Sequence, residues 1–535
     1  FVTNGGFLDS NSADGLRHAL ADEFAHVYVY NLRGDARTSG EQRRKEKDNV
    51  FGEGTRTPVA VFFLVKNADH TGPGTLHYYG VEDYLSREDK LRLTAEATLD
   101  NLAWETLTPD RHGDWLNQRS GGFTTYQPIG GDKDAKGVFA LRSQGINTAR
   151  AVWMYSSDRS KLATRIEGMV AVYNEHANKE QLPTELDPTK FKWNEADKKD
   201  VVRGVRRHVD ADRVYTAMYR PFFKQHLHFD RQLNDGVYQQ YNIFPEPNSE
   251  NIGLLVRTGR VGSSFACLAT TVVPDLNFYA DPGQFFPRYT YHRQEGGIPD
   301  LFSAGAAREG YERRDNITAT TLADYRHRHG ADVDADAIFF YVYGILHSPE
   351  YRQRFASDLF RSLPRIPKTA TTEDFWAFSE AGRTLADLHI NYEQVTPYPL
   401  TIEGDQVLEG VTDPWEHYRV TRMQPIGGNR SAGFEGIKYN DNITIRDIPL
   451  EAHDYKLGSR SPLGWVLDRY QVTKHKDSRI VNDPNDWSRE VGDPRYILDL
   501  IGRLVTVSLE TNRIVNSLPQ LTVADTTETD GEDVN

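Results

Sequence analysis

The residues best suited to chemistry in this sequence are arginines set beside planar rings. One run reads Tyr219-Arg-Pro-Phe-Phe-Lys-Gln-His-Leu-His-Phe-Asp230, and Glu250-Asn-Ile-Gly-Leu-Leu-Val-Arg-Thr-Gly-Arg260 follows it. A guanidinium fork can hold a phosphate through two parallel hydrogen bonds and can stack on an aromatic face. Arg257 and Arg260, at the end of an apolar strand and around Gly259, are placed to point into a groove. The plainer alternative is that Tyr219 and Arg220 form a structural corner and that Arg257 closes its strand. The residues alone leave both readings open.

Base is concentrated between residues 190 and 231. There Lys190, Lys192, Lys198, Lys199, Arg203, Arg206, Arg207, Arg213, Arg220, Lys224 and Arg231 outnumber their acidic neighbours. The candidate phosphate or base contacts are therefore Arg203, Arg206, Arg207, Arg220, Lys224, Arg257 and Arg260. Asn117, Gln118, Arg119 and Lys474 are secondary candidates. The whole chain runs the other way, with 63 Lys and Arg against 77 Asp and Glu, a net charge of −14. That sum argues against a nucleic-acid partner, but a locally basic cleft in an acidic protein is compatible with one.

Other chemistries lack their residues. The sequence has no Walker-type phosphate loop, no His/Cys metal-ligand spacing and no Asp/Asn-Pro-Pro-aromatic tetrad of the kind that holds an extruded adenine. Phe51-Gly-Glu-Gly54 does not follow a strand and open a helix, so it reads as a flexible loop. Pro274-Asp275 lacks the acidic-x-Lys of a nuclease site and reads as a turn; Asn482-Asp-Pro-Asn485 reads as a turn before Trp487. No catalytic residue, metal site or cofactor site is assigned.

Elements must hold the arginines in place. Asp14 to Phe24 predicts an amphipathic helix with Leu16, Leu20 and Phe24 on one stripe, His26 to Leu32 and Val59 to Val65 predict strands, and Arg33 to Gly54 predicts a charged loop. Phe1 to Leu8 reads as a buried strand of a parallel sheet running into a Gly-rich turn. With no Met and no neighbouring strand before it, the chain is expected to be the C-terminal part of a longer protein. Further helices are predicted at Lys90 to Leu99, Leu162 to Asn178 and Pro494 to Thr511, and Asp336 to Phe360 predicts a helical pair broken at Ser348-Pro349.

At 535 residues the chain is long enough for about two to four domains. No stretch approaches the roughly 18–20 apolar residues of a membrane span. The single cysteine, Cys267, excludes an internal disulfide and points to a reducing cytoplasm. The tail from Thr522 to Asn535 carries five acids and no base and is expected to be disordered.

Taken together, these stretches resemble the C-terminal part of Type ISP restriction–modification enzymes. Phe1 to Leu8, Gly15 to Phe24 and Thr57 to Lys66 are similar to the segments after the Pro-Pro-aromatic motif of an adenine methyltransferase. Phe139 to Tyr155, Tyr219-Arg-Pro-Phe222 and Ile338 to Pro367 are similar to that family's target recognition domain. Gly344-Ile-Leu-His-Ser-Pro349 and Leu363-Pro-Arg-Ile-Pro367 are shared with a wider set of methyltransferase recognition domains.

The resemblance implies an α/β plus α+β chain. Residues 1–75 would be the truncated C-terminal half of a Rossmann-like class I methyltransferase sheet. Residues 76–520 would be a mixed target recognition domain in two lobes, 76–370 and 371–520, and 521–535 a disordered tail. It implies a parent that methylates adenine at N6 with S-adenosyl-L-methionine, cleaves unmodified DNA, and uses ATP and Mg in its motor and nuclease parts. This segment alone would hold no cofactor and catalyse nothing. Its partners would be double-stranded DNA and the polypeptide upstream of Phe1. Two alternatives stand: recognition within a stand-alone or phage-defence adenine methyltransferase lacking a motor, and an acidic protein-interaction scaffold that binds no DNA.

Overall fold

The computed structural model describes residues 1–10, 13–36, 40–52, 54–131, 136–177, 186–259, 264–293, 310–407, 412–430 and 433–524. The first sheet contains β1 (Val2–Asn4), β2 (His26–Arg33), β3 (Val59–Val65), β4 (Thr75–Gly80) and β5 (Glu105–Leu107) in the order β1-β3-β2-β4-β5. β3 lies antiparallel between β1 and β2, β4 runs parallel to β2, and β5 closes the sheet antiparallel to β4. Among the described residues β1 pairs with β3 alone, at one edge of the sheet. Its three residues alternate exposed and half-buried before Gly5-Gly6 turns the chain into a 3-10 helix.

One face of this sheet packs Val27, Val29, Ala60, Phe62 and Leu76 against Leu8 and Trp115. The helix α1 (Asp14–Glu23) covers that face with Leu20, and Phe24 follows it. Leu16, expected on the same stripe, is 49% exposed, and Arg17 occupies the buried position instead. The loop expected from Arg33 to Gly54 contains a helix, α2 (Gly40–Glu46). Its last residue, Glu46, accepts hydrogen bonds from the Gly34 and Asp35 amides and so ties the loop to the end of β2. The next helix, α3 (Arg87–Glu96), starts three residues before the expected position because Ser86 caps it, accepting the Asp89 amide.

Two larger cores form the rest. One gathers the strands Val214–Arg220 and Phe223–His228 with the helices Arg159–His176, Pro462–Arg469 and Tyr496–Asn516. The other is built around the helices Ala335–His347 and Thr372–Ile390. Gly344 and Gly382 let these two helices touch: a Cβ on Gly382 would lie 1.9 Å from the Phe340 carbonyl oxygen. Ser348 caps the helix that Pro349 opens, at the expected break, and a second break at Phe355 makes three helices of the expected pair.

The expected boundaries shift accordingly. β4 and β5 belong to the first sheet, so a division at 75 cuts through it. The two cores draw on residues from both sides of 370, so the lobes interleave instead of following one another. Past residue 520 the chain stays docked: Leu521 is buried, its amide donates to Glu350, and the Ala524 amide donates to the Lys368 carbonyl. Residues 525–535, the remainder of the acidic tail, lie outside the described residues. Seven sheets occur among the described residues, giving a mixed α/β fold of several small sheets. No helix among them is long and apolar enough to cross a membrane.

Candidate nucleic-acid interface

The Tyr219-Arg-Pro-Phe222 run forms the tip of a hairpin. Pro221 and Phe222 make its two-residue turn, with Arg220 paired opposite Phe223. Phe222 holds a left-handed φ of 57°, unusual for a bulky side chain. Its ring is fully buried, 5.1 Å from that of Tyr392, and its carbonyl accepts a hydrogen bond from the Tyr470 hydroxyl at 3.1 Å. Burial and this bond offset the backbone strain and fix the tip. At its base, the Arg220 guanidinium lies 4.0 Å from the Tyr219 ring and 2.7 Å from the Asp275 carboxylate. Burial pushes the Asp275 carboxyl up, against the pull of Arg220.

Around Tyr219 two adjoining cavities, about 450 and about 360 Å³, make a continuous groove. They share Ala151, Val152, Tyr219 and His475. Arg165, Gln225 and Arg469 line the first, and Lys192, Arg220 and Asn277 the second. The Gln225 amide donates to Asn482 at 2.8 Å, joining the groove wall to the hairpin of Thr473–Lys474 and Val481–Asn482. Lys474, His475, Lys476 and Arg479 stand exposed on that hairpin. The result is a polar groove with an aromatic wall and a cationic rim.

The structure separates the arginine candidates. Arg203 and Arg206 are exposed just past the helix Glu195–Val202. Arg207 is buried, 2.7 Å from Asp197 and 4.1 Å over the Tyr173 ring; Asp197 also takes Arg150 at 2.7 Å. Lys224 pairs with Glu393 at 2.5 Å beside the Tyr392 ring. Arg257 is 1% exposed and pairs with Asp281 at 2.7 Å, so it is folded into the protein instead of pointing into an open groove. Arg260 lies outside the described residues. Lys474 is on the groove hairpin. Sequence reading missed Arg165, Gln225, Arg469 and Lys476; the Lys474-His-Lys476 run beside a turn was the available signal.

Asn117, Gln118 and Arg119 belong to a different place, the joint between the first sheet and the second core. Asn117 donates to Asp9 at 2.8 Å, Gln118 to the Thr108 carbonyl at 2.6 Å and Arg119 to Asp114 at 2.6 Å. Asp114 is fully buried and also receives Arg17 at 2.9 Å and Arg361 at 2.6 Å, while Arg361 reaches Asp9 as well. Burial alone would push the Asp114 carboxyl up, but Arg119 and Arg361 hold it below the usual range. Above this joint opens a cleft of about 1040 Å³. Gly5 and Gly6 just past β1 and the C-terminal ends of β2 and β4 line one wall, with Asn31, Arg33 and Tyr78, and Ala356, Ser357 and Phe360 line the other. Ligands of open α/β sheets bind outside such strand ends.

No group of three or more metal-ligating side chains occurs among the described residues. Phe51, Gly52 and Gly54 lie between α2 and β3, with Gly52 at φ 86° and open space around Gly52 and Gly54.

Residues 137–500 match the family described as the Type ISP C-terminal specificity domain. Three solved structures are similar over 98% of this chain. One is a nuclease-deletion mutant of the Type ISP restriction-modification enzyme LlaGI in complex with a DNA substrate mimic, 33% identical with a TM-score of 0.79. Another is the ATP-dependent Type ISP restriction-modification enzyme LlaBIII bound to DNA, 28% identical with a TM-score of 0.80. The third is a DrdV–DNA complex, 29% identical with a TM-score of 0.77. This chain spans 46%, 33% and 50% of those chains respectively. No curated protein matches it.

Proposed function

Because this chain belongs to the Type ISP C-terminal specificity-domain family, we propose that it recognises a specific duplex DNA sequence within a Type ISP restriction–modification enzyme. That enzyme methylates adenine at N6 and cleaves unmodified DNA. The observation that carries the reading is the agreement over 98% of the chain with two Type ISP enzymes, both determined with DNA or a DNA mimic. The polar groove around Tyr219, with its cationic hairpin, supports it from the side of chemistry.

Within this reading the first sheet, expected over residues 1–75 and extended by β4 and β5 to Leu107, is the C-terminal part of a methyltransferase sheet, and the polypeptide upstream of Phe1 supplies the remainder. Three strands pointing the same way, with an antiparallel strand inserted between two of them, support that assignment. The cleft outside their C-terminal ends is where a base drawn from the stack would meet the catalytic part, the recognition lobe holding the duplex in place. S-adenosyl-L-methionine, ATP and Mg act in the upstream parts, and this segment is inactive by itself.

Affinity comes from cations at the surface, and sequence preference from side chains at base edges. Arg203, Arg206, Lys474 and Lys476 are the proposed phosphate contacts. Arg207, Arg220, Lys224 and Arg257 shape the surface through their ion pairs, with Arg220 open to the groove as well. The test is duplex binding by this chain across a salt series. Affinity is expected to fall steeply, with a log–log slope of about −0.9 per phosphate contacted. No binding at low salt would favour the scaffold alternative.

A further inference from the structure

Two strands stand apart from every larger sheet. Among the described residues Tyr289–Arg293 and Tyr311–Asp315 pair only with each other, as an antiparallel ribbon. An isolated two-stranded ribbon is marginal in water unless one face is anchored. Here the base is anchored firmly. The Tyr289 ring is flanked by two guanidinium groups, Arg288 at 4.4 Å and Arg313 at 4.3 Å. The Tyr291 hydroxyl donates to the Glu250 carbonyl at 2.7 Å, and the Asn251 amide to the Tyr289 carbonyl at 2.9 Å. Arg288 also binds Asp315 and Asp336, each at 2.6 Å, so the acid at the foot of the ribbon is neutralised.

The register separates the two faces. Residues directly opposite point the same way, so Tyr289, Tyr291 and Arg313 share the anchored face. The other face carries Thr290 at its foot and then His292 opposite Glu312, with Arg314 beside it. Thr290 is buried, whereas His292 and Arg314 are exposed and Glu312 is half-exposed. Arg314 rests on Glu312 at 2.7 Å, an exposed pair worth little and readily exchanged for another partner. Arg293 is exposed at the far end of the ribbon.

We propose that this outward face is a base-reading surface, and that the ribbon enters the major groove of the recognised duplex. The inference rests on the duplex-recognition reading above and names the element that reads sequence. A two-stranded ribbon fits the major groove, where all four base pairs present distinct edges, whereas the minor groove separates little more than A·T from G·C. Its side chains match groove chemistry: Arg314 offers a bidentate donor pair to guanine O6 and N7, and Glu312 accepts from cytosine N4. Giving up their mutual pair frees both for a G·C step.

The test compares the whole chain with its Arg314→Ala and Glu312→Ala variants, each selecting duplexes from a randomised library. Both substitutions are at the surface, so unfolding temperatures should match the unaltered chain. Arg314→Ala is expected to relax the preference for one guanine by about five- to 150-fold, leaving other positions and binding to random duplex nearly unchanged. Glu312→Ala should relax one neighbouring cytosine. Variants that enrich the same sequence with the same strength would overturn the proposal, as would an equal loss of affinity for every sequence. Either result leaves duplex recognition standing. An unaltered chain that binds no duplex overturns both.

Discussion

A charged side chain in this protein is defined by whether a partner is built beside it. Arg207, Arg220 and Arg257 each face a carboxylate at 2.7 Å, whereas Arg203 and Arg206 are exposed. Removing one partner of a buried pair strands the other charge, at a cost of about 3–5 kcal/mol. Arg220→Ala, which takes the guanidinium from the buried Asp275, is therefore expected to lower the urea midpoint sharply, and Arg203→Ala with Arg206→Ala to leave it unchanged. The double variant should instead weaken duplex binding and flatten its salt slope by about two. The two classes look alike in sequence, because Asp275 lies 55 positions from Arg220 and nothing local announces it. What the sequence does carry is the motif itself: Arg beside Tyr before Pro-Phe marks the turn and the groove wall, though not which arginines are free.

Histidines follow the same logic. His347 and His389 are fully buried between the two cores, and burial lowers both, His389 to about 3. Their ordinary value, about 6.5, applies to the unfolded chain. Above pH 6.5 both states are neutral and stability is undiminished. As pH falls from 6.5 toward 3, the unfolded state takes up protons that the folded state refuses, so stability is lost across that window. The expected loss is about 2 kcal/mol per histidine at pH 5, read from urea midpoints at pH 7 and pH 5.

Elements in this fold are set by caps and close approaches as much as by apolar spacing. Gly344 and Gly168 make the contrast. A Cβ on Gly344 would meet the Phe378 carbonyl oxygen at 2.2 Å, while one on Gly168 meets nothing within 4 Å. Gly168→Ala, within the helix Arg159–His176, is expected to stabilise the protein by roughly 0.5–1 kcal/mol. Gly344→Ala should do the reverse, by about 1–3 kcal/mol, because the helices must part. Thermal melts of the two variants check both signs. The helix broken at Ser348-Pro349 was readable because the cap and proline are local signals. α2 was not, since its residues Gly40-Glu-Gln-Arg-Arg-Lys-Glu46 show no apolar stripe and the element depends on Glu46 binding two amides beyond it. The pairing of β1 was not legible either, since its antiparallel partner lies nearly sixty residues away.

Across the molecule, the first sheet is held to the recognition lobe by the Asp9, Arg17, Asp114, Arg119 and Arg361 joint. Asp114→Ala would leave three guanidinium groups without their shared carboxylate and is expected to cost about 3–5 kcal/mol. It should also expose residues 1–120 to protease before the remainder. Lobe boundaries could not be drawn from sequence, because chain on both sides of residue 370 contributes to both cores. The measurement that bears most directly on the account is selection by this chain from a randomised duplex library at moderate salt. One enriched sequence, bound far more tightly than its scrambled versions, is the predicted result. Equal recovery of all sequences, or of none, would contradict it.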